Sequence, residues 1–496
     1  MSERELRFEQ RMSDTEALMW SIEKDPWFNA SAGSISVLDR PLDMRTFRRR
    51  IRAAVVEIPR LRERVVPGFG RLSPPAWAPD DEFDFDHHVR HVTLPEPGTL
   101  RDLYDLATRI YEDPFDRTRP LWQFVVIDGV EGGRGALLLK IHHSVTDGIG
   151  AVRLAEHYMD VQRRVRAGAE VDLEAVVAGA AHHAADAKES GGDRATSLLS
   201  TAGRSAVHLV RRQAGMARRA LGEAMLWTAD PMRAVEVGSD VVHTTRSTVR
   251  ELTGESAHGG SPLWHERSRR RHLEAIRVPL DELKAGGHAL GGSVNDAFVT
   301  ATVNAAIAYH EAHGVSLERL NLSFVVSTRE DSAIGGNSFT PTTFSAPATP
   351  MTLPERFTEI QRRMAERRAD IRGAGALSGL AGVANLLPTS VVTRVARDRA
   401  ATQDFATSNL RAAPFTMYVG GAKVLWGVPL GPVAGTAANI TAISYDGGMD
   451  IGILSDPAAI ERPDELRGHL EDALGEIMAT SAPVIDLTEG AGSVPS

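Results

Sequence analysis

His142-His143-Ser144-Val145-Thr146-Asp147-Gly148 reads H-H-x-x-x-D-G and follows the apolar run Gly135–Ile141. Successive side chains on a strand face opposite ways, so two histidines leaving this run are expected to diverge. One can then reach a ligand channel while the other is held inside the domain. Neutral imidazole is the common side-chain base near pH 7, and a single oriented ring suits removing a proton from a hydroxyl. Asp147 is placed to fix the turn, by accepting backbone N–H groups or by pairing with an arginine. Gly148 permits a backbone conformation that a side chain would obstruct. The pattern reads as a base, His143, with its mounting. Metal ligation fits less well, because neighbouring strand histidines diverge and neither a cysteine nor an H-x-x-x-H partner accompanies the pair.

Other features narrow the chemistry. The pairs His87-His88 and His182-His183 lack the following Asp-Gly and read as structural. With no cysteine in 496 residues, a thiol acyl-enzyme, a disulfide framework and a cysteine zinc site are excluded. No G-x-S-x-G elbow is present for a serine acyl-enzyme, and no glycine-rich phosphate loop is present either. The formal net charge of −9 argues against nucleic acid as a partner. The densely charged start, Met1-Ser2-Glu3-Arg4-Glu5, is unlike a signal peptide, and no apolar run reaches the ~18 residues of a membrane span. The expectation is a cytoplasmic protein whose membrane contact is peripheral.

The elements that must position the pair form an α/β pattern. Met12–Ile22, Asp43–Ile58, Leu100–Ile110 and Ala151–Val165 have helical spacing; Ser34–Leu38, Gln123–Ile127 and Gly135–Ile141 read as strands. From 167 to 265 the composition turns Ala-rich and then basic, with Arg204, Arg211, Arg212, Arg218 and Arg219 among apolar residues. This segment reads as a helical linker, either bridging two domains or lying on an anionic membrane. Strands return at Leu273–Pro279, Asn321–Ser327, Val424–Trp426 and Met449–Leu454, with a charged amphipathic helix over Leu353–Ile371. Gly373–Val392, rich in small apolar residues, reads as a packed helix or a lipid-facing one. The expected division is an N-terminal domain (1–166), the linker (167–265), a C-terminal domain (266–487) and a disordered tail (488–496). No internal repeat is evident.

Around the histidines stand Pro114-Phe115-Asp116-Arg117-Thr118-Arg119-Pro120-Leu121-Trp122 and, downstream, Ser293-Val294-Asn295-Asp296. With P-L-W, H-H-x-x-x-D-G and N-D in that order, the chain resembles the bacterial wax ester synthase/acyl-CoA:diacylglycerol acyltransferases. Ser13-Asp14-Thr15-Glu16, Ser261-Pro262-Leu263, Ser408-Asn409, Asn439-Ile440 and Ser444-Tyr445-Asp446-Gly447 extend the likeness over roughly residues 10–480. H-H-x-x-x-D-G alone marks a wider superfamily, including chloramphenicol acetyltransferases and condensation domains. Two places depart from the family: Ser408-Asn409 runs into Leu410-Arg411 rather than a small residue, Pro and Gly, and Ala297-Phe298-Val299-Thr300 replaces the usual aliphatic run. Both bear on the acceptor.

The resemblance implies two chloramphenicol-acetyltransferase-like domains, each a mixed sheet with helices, joined by a helical linker, with a channel between them. It implies direct transfer of a fatty acyl group from acyl-CoA, a substrate rather than a cofactor, to diacylglycerol or a fatty alcohol, at the inner membrane or a lipid droplet. His143 is then the base, His142 its support, and Asp147 and Gly148 the turn. Asn295 becomes the donor to the tetrahedral oxyanion, with a plain helix cap as the alternative. Asp296 braces the helix start beside substrate, Trp122 lines the acyl path, and Glu16 matches an acidic position near the channel. No metal is expected. Two other readings stay open: a sugar, short-alcohol or polyketide acceptor, and a catalytically silent lipid-binding homologue.

Overall fold

A computed structural model describes residues 11–25, 27–68, 74–146, 148–164, 170–189, 260–327, 339–372, 389–432 and 435–481. The basic stretch 194–221, most of Gly373–Val392 and the tail 488–496 lie outside the described residues.

The elements before the linker are helices α1 (Asp14–Ile22), α2 (Met44–Glu57), α3 (Phe85–His88), α4 (Leu100–Glu112), α5 (Gly148–Tyr158) and α6 (Leu173–Glu189). Their strands are β1 (Ser31–Leu38), β2 (Glu63–Val66), β3 (Ala76–Pro79), β4 (Val89–Thr93), β5 (Trp122–Val130), β6 (Arg134–His142) and β7 (Met159–Asp160). The second half carries β8 (His272–Pro279), α7 (Leu280–Ala289), α8 (Val294–Ala312), β9 (Arg319–Ser327), β10 (Phe339–Pro347), α9 (Leu353–Arg372) and α10 (Thr389–Ala401). It ends with β11 (Phe405–Arg411), β12 (Tyr418–Val419), β13 (Ala422–Leu430), β14 (Ala438–Tyr445), β15 (Gly448–Ser455) and α11 (Pro463–Ala479).

Local chemistry accounts for the helices that flank the site. Asp43 caps α2, accepting from the Arg45 N–H at 3.1 Å, and Phe47, Ile51, Ala54 and Val55 form its buried stripe. Thr99 and Asp102 form a capping box on α4, whose Leu103, Ala107 and Tyr111 repeat at helical spacing toward the core. Helix α5 stops at Tyr158, short of the expected Val165. The Arg50 guanidinium bonds the His157 carbonyl and the Asp160 carboxylate, both at 2.8 Å, and Met159–Asp160 pair with Tyr418–Val419 as a strand instead.

Two mixed sheets carry the molecule. The first has the order β4-β5-β6-β1-β13-β12-β7 and the second β10-β9-β11-β14-β15-β8. The expected boundary at residue 266 therefore does not divide the sheets, because β12 and β13 cross over to complete the first one. β13 pairs antiparallel with β1, Ile35 opposite Val428. The Asp39 carboxylate accepts the Lys423 N–H at 2.7 Å, and the Arg40 guanidinium donates to the Gly421 carbonyl at 2.9 Å. The linker also begins within the first domain: α6 packs on α2 and β3, with Leu173 buried in their core.

Each sheet uses its two faces differently. Ile451 and Ile453 of β15 point into a core roofed by α7, α8, α9 and α11. Leu454, on the opposite face, joins Leu273, Val428, Leu430, Ile35 and Leu138 in a core shared by the two halves. Gly452 sits where the two sheets press tightly together, since a Cβ there would lie 2.0 Å from the Pro429 carbonyl oxygen. Gly452→Ala is expected to cost about 3 kcal/mol or more, because backbone rather than a flexible side chain must yield. Its melting temperature against wild type checks this.

Candidate active site

The apolar strand β6 ends at His142, whose partner across the ladder is Ser31, the first residue of β1. Beyond that pair the backbone stays fixed. The His143 N–H donates to the Ala30 carbonyl at 2.9 Å, the His142 N–H to the Leu121 carbonyl at 3.0 Å, and the Val145 N–H to the His142 carbonyl at 2.9 Å. The Leu121 contact explains why the P-L-W block belongs with the histidines: it forms the other side of the strand end.

The two rings have different surroundings. His142 is fully buried, with the edges of Trp20 and Phe115 6.2 and 6.4 Å from it, centroid to centroid. Its Nδ1 accepts the Ser144 N–H at 3.0 Å and lies 2.6 Å from the Ser144 hydroxyl. A backbone N–H can only donate, so the ring proton sits on Nε2, which faces Glu23 Oε2 at 2.8 Å. His143 keeps 8% exposure where His142 has none. Burial, together with the neighbouring His142, pushes the His143 pKa down to about 4. Its ring is therefore neutral at physiological pH, the form a base requires.

A second group of contacts holds the floor beneath the pair. Lys140, two residues back on the same strand face as His142, donates to the Ile110 carbonyl at 2.9 Å and to the Asp113 carbonyl, and lies over the Phe115 ring. It thereby caps the last turn of α4 with a cation, and burial pushes its pKa down to about 8. The Tyr111 hydroxyl reaches the Ser31 carbonyl at 2.6 Å and the Gly431 carbonyl at 2.7 Å, joining α4, the start of β1 and the end of the crossover strand β13. The site is thus built on elements from both halves of the chain.

Comparison with known proteins identifies the family. Residues 12–298 match the wax ester synthase/diacylglycerol acyltransferase catalytic domain, and residues 335–478 match the C-terminal domain of the same proteins. The chain belongs to the wax ester synthase/diacylglycerol acyltransferase family. A Mycobacterium tuberculosis protein named as a candidate diacylglycerol O-acyltransferase is 30% identical over 99% of this chain and 97% of its own. Another from the same species, named similarly, is 25% identical over 95% of this chain and 97% of its own. Among solved structures, the wax ester synthase/diacylglycerol acyltransferase of Marinobacter aquaeolei VT8 superposes with a TM-score of 0.60 at 18% identity, covering 95% of this chain and 99% of that one. The first condensation domain of the calcium-dependent antibiotic synthetase gives 0.55 at 16% identity, covering 96% and 97%. The two-domain fold with mixed sheets, expected from the resemblance, is what these structures share.

The structure gives several residues of this family's motifs a duty in the fold. Asp147 lies outside the described residues, and Gly148 opens α5. Trp122 is packed in the core of the first domain. It is 1% exposed, its indole N–H donates to the Leu61 carbonyl at 2.7 Å, and His88 stacks on it at 4.5 Å. His88, sandwiched between Trp122 and Phe83, is a core histidine. Glu16 completes a capping box with Ser13 at the start of α1, accepting the Ser13 N–H at 2.8 Å. The acid that reaches His142 is Glu23, just past the end of the same helix.

Asn295 and Asp296 stand at the start of a helix of the second half. Asp296 is the third residue of α8 and closes a capping box, its Oδ2 accepting the Ser293 N–H at 2.9 Å and hydroxyl at 2.8 Å. It is 5% exposed, and its Oδ1 is buried with no hydrogen-bond partner among the described residues. Asn295 stands beside it on α8, which packs with α7, α9 and α11 on the face of the second sheet turned from the shared core. Among the described residues, no hydrogen bond links Asn295 or Asp296 to either histidine. Asn295 is the second residue of α8, and the capping box around it is made by Ser293 and Asp296.

Proposed function

We propose that this protein transfers a fatty acyl group from acyl-CoA to a lipid hydroxyl, forming triacylglycerol from diacylglycerol, a wax ester from a long-chain alcohol, or both. The observation that carries this reading is the neutral, nearly buried imidazole of His143 held at the end of β6 by a fixed backbone. The family and the relatives' names supply the substrate class.

In this reaction the imidazole of His143 takes the proton from the acceptor hydroxyl as its oxygen attacks the thioester carbonyl. The tetrahedral intermediate collapses with cleavage of the C–S bond. The departing CoA thiolate recovers the proton from the imidazolium, so ester and CoA thiol leave and the enzyme is unchanged. A thioester is already activated, so no covalent acyl-enzyme is needed, in keeping with a chain that has no cysteine. His142, bonded on both ring nitrogens, supports its neighbour rather than reacting.

A lipid acceptor places the reaction at a membrane or lipid-droplet surface, and we assign the protein to peripheral contact on the cytoplasmic side. No helix among the described residues is long and apolar enough to cross a membrane. The deciding assay supplies purified protein with palmitoyl-CoA and, separately, diacylglycerol, hexadecanol or trehalose, following free thiol. Thiol release with either lipid, matched by triacylglycerol or wax ester, is the expected result. Release with trehalose alone would replace the acceptor class. Lipid binding without release from any acceptor would support the silent homologue.

A further inference from the structure

Resting on His143 as the base, we infer that Glu23 is a positioning residue for the acyl transfer, holding both histidines through its two carboxylate oxygens. Oε2 accepts the His142 Nε2–H at 2.8 Å, and Oε1 accepts the Ala30 N–H at 3.1 Å. The Ala30 carbonyl in turn accepts the His143 N–H at 2.9 Å. One arm thus fixes the His142 ring and its tautomer, and the other fixes the peptide from which the His143 side chain departs. The β1–β6 ladder ends at Ser31 and His142, so this brace continues the restraint where strand pairing stops.

The surroundings suit a carboxylate there and little else. Both partners are donors, and a carboxylate presents two acceptor oxygens where an amide presents one. The Arg117 guanidinium lies 3.9 Å from Oε2, stacks 3.3 Å over the Trp20 ring and donates to the Trp20 carbonyl at 2.6 Å. Burial alone would raise the Glu23 pKa, but the bonds from His142 and Ala30 and the charge of Arg117 outweigh it, and the acid stays ionised. Arg117 belongs to the P-F-D-R segment, which gives that block a purpose beyond architecture: it supplies the counter-charge for the brace.

The alternative is that Glu23 merely stabilises the fold, and three measurements on the full-length protein separate the two. In wild type with 15N-labelled histidine, the His142 signals, identified by their loss in His142→Gln, should show a bare Nδ1 and a protonated Nε2. In Glu23→Gln one arm is lost, and kcat should fall about 10–100-fold with KM for palmitoyl-CoA within about twofold, the scale seen when groups that orient a reacting histidine are removed. The double variant Glu23→Gln/His142→Gln should be no slower than the slower single variant, since both act through one linkage. A proton on Nδ1 in wild type, an unaltered kcat in folded Glu23→Gln, or losses that multiply in the double variant would each overturn the assignment. The nitrogen signals are independent of turnover, so failure here is distinct from failure of the base assignment, which His143→Ala tests separately.

Discussion

His143→Ala is expected to lower kcat/KM by about 10²–10⁴-fold while leaving the melting temperature near that of wild type. The fold should tolerate the change because alanine keeps the backbone N–H bond to the Ala30 carbonyl that fixes this position in the chain. The pH profile gives a second, independent reading. The active form of the ring is neutral, and burial pushes its pKa down to about 4, so protonation should abolish activity only near that pH. The acid limb of kcat/KM should therefore fall near pH 4, with rates flat from about 5 to 7, rather than near the ordinary histidine value of ~6.5. A limb near 6.5 would mean that the ring is solvated when substrate meets it. Near wild-type turnover by folded His143→Ala would remove the base assignment altogether.

Trp122→Ala should have the largest effect on stability, about 3–5 kcal/mol, as expected for emptying a fully buried aromatic site. Its indole is 1% exposed, stacked on His88 and bonded to the Leu61 carbonyl, so truncation leaves a cavity and an acceptor without its donor. Urea unfolding followed by fluorescence and circular dichroism gives the loss. The acyl-path reading predicts something different: an intact fold with an altered preference among acyl-CoA chain lengths. A stable Trp122→Ala enzyme that accepts longer chains would restore that reading.

The sequence announced the histidine pair because its spacing and its strand are contiguous, and β6 stops at His142 as the apolar run suggests. Glu23 was missed for the opposite reason. It lies 119 residues from His142, and nothing local distinguishes it from any acid after an amphipathic helix. The structural duty of Glu16 and Asp296 is legible in their spacing. Ser13-x-x-Glu16 and Ser293-x-x-Asp296 are both capping-box patterns, and both boxes form. The tryptophans show a pattern that was overlooked. Pro120-Leu121-Trp122 recurs as Pro262-Leu263-Trp264, and each indole rests against a buried histidine, His88 at 4.5 Å and His310 at 4.6 Å. The two halves thus share a structural signature that a search for longer repeats passes over. Strand periodicity could mark Ala422–Leu430 as extended but not say which sheet it joins, since pairing is settled by contacts remote in sequence.

That pairing bears on how the protein is made. Without β13, β1 would be an edge strand, its backbone groups unpaired and its Ile35 and Val37 uncovered on the face the second half closes. During synthesis the first sheet stays open until residue 430 of 496 has left the ribosome. A chain ending in the linker would carry a sticky margin along β1 rather than form a self-sufficient domain.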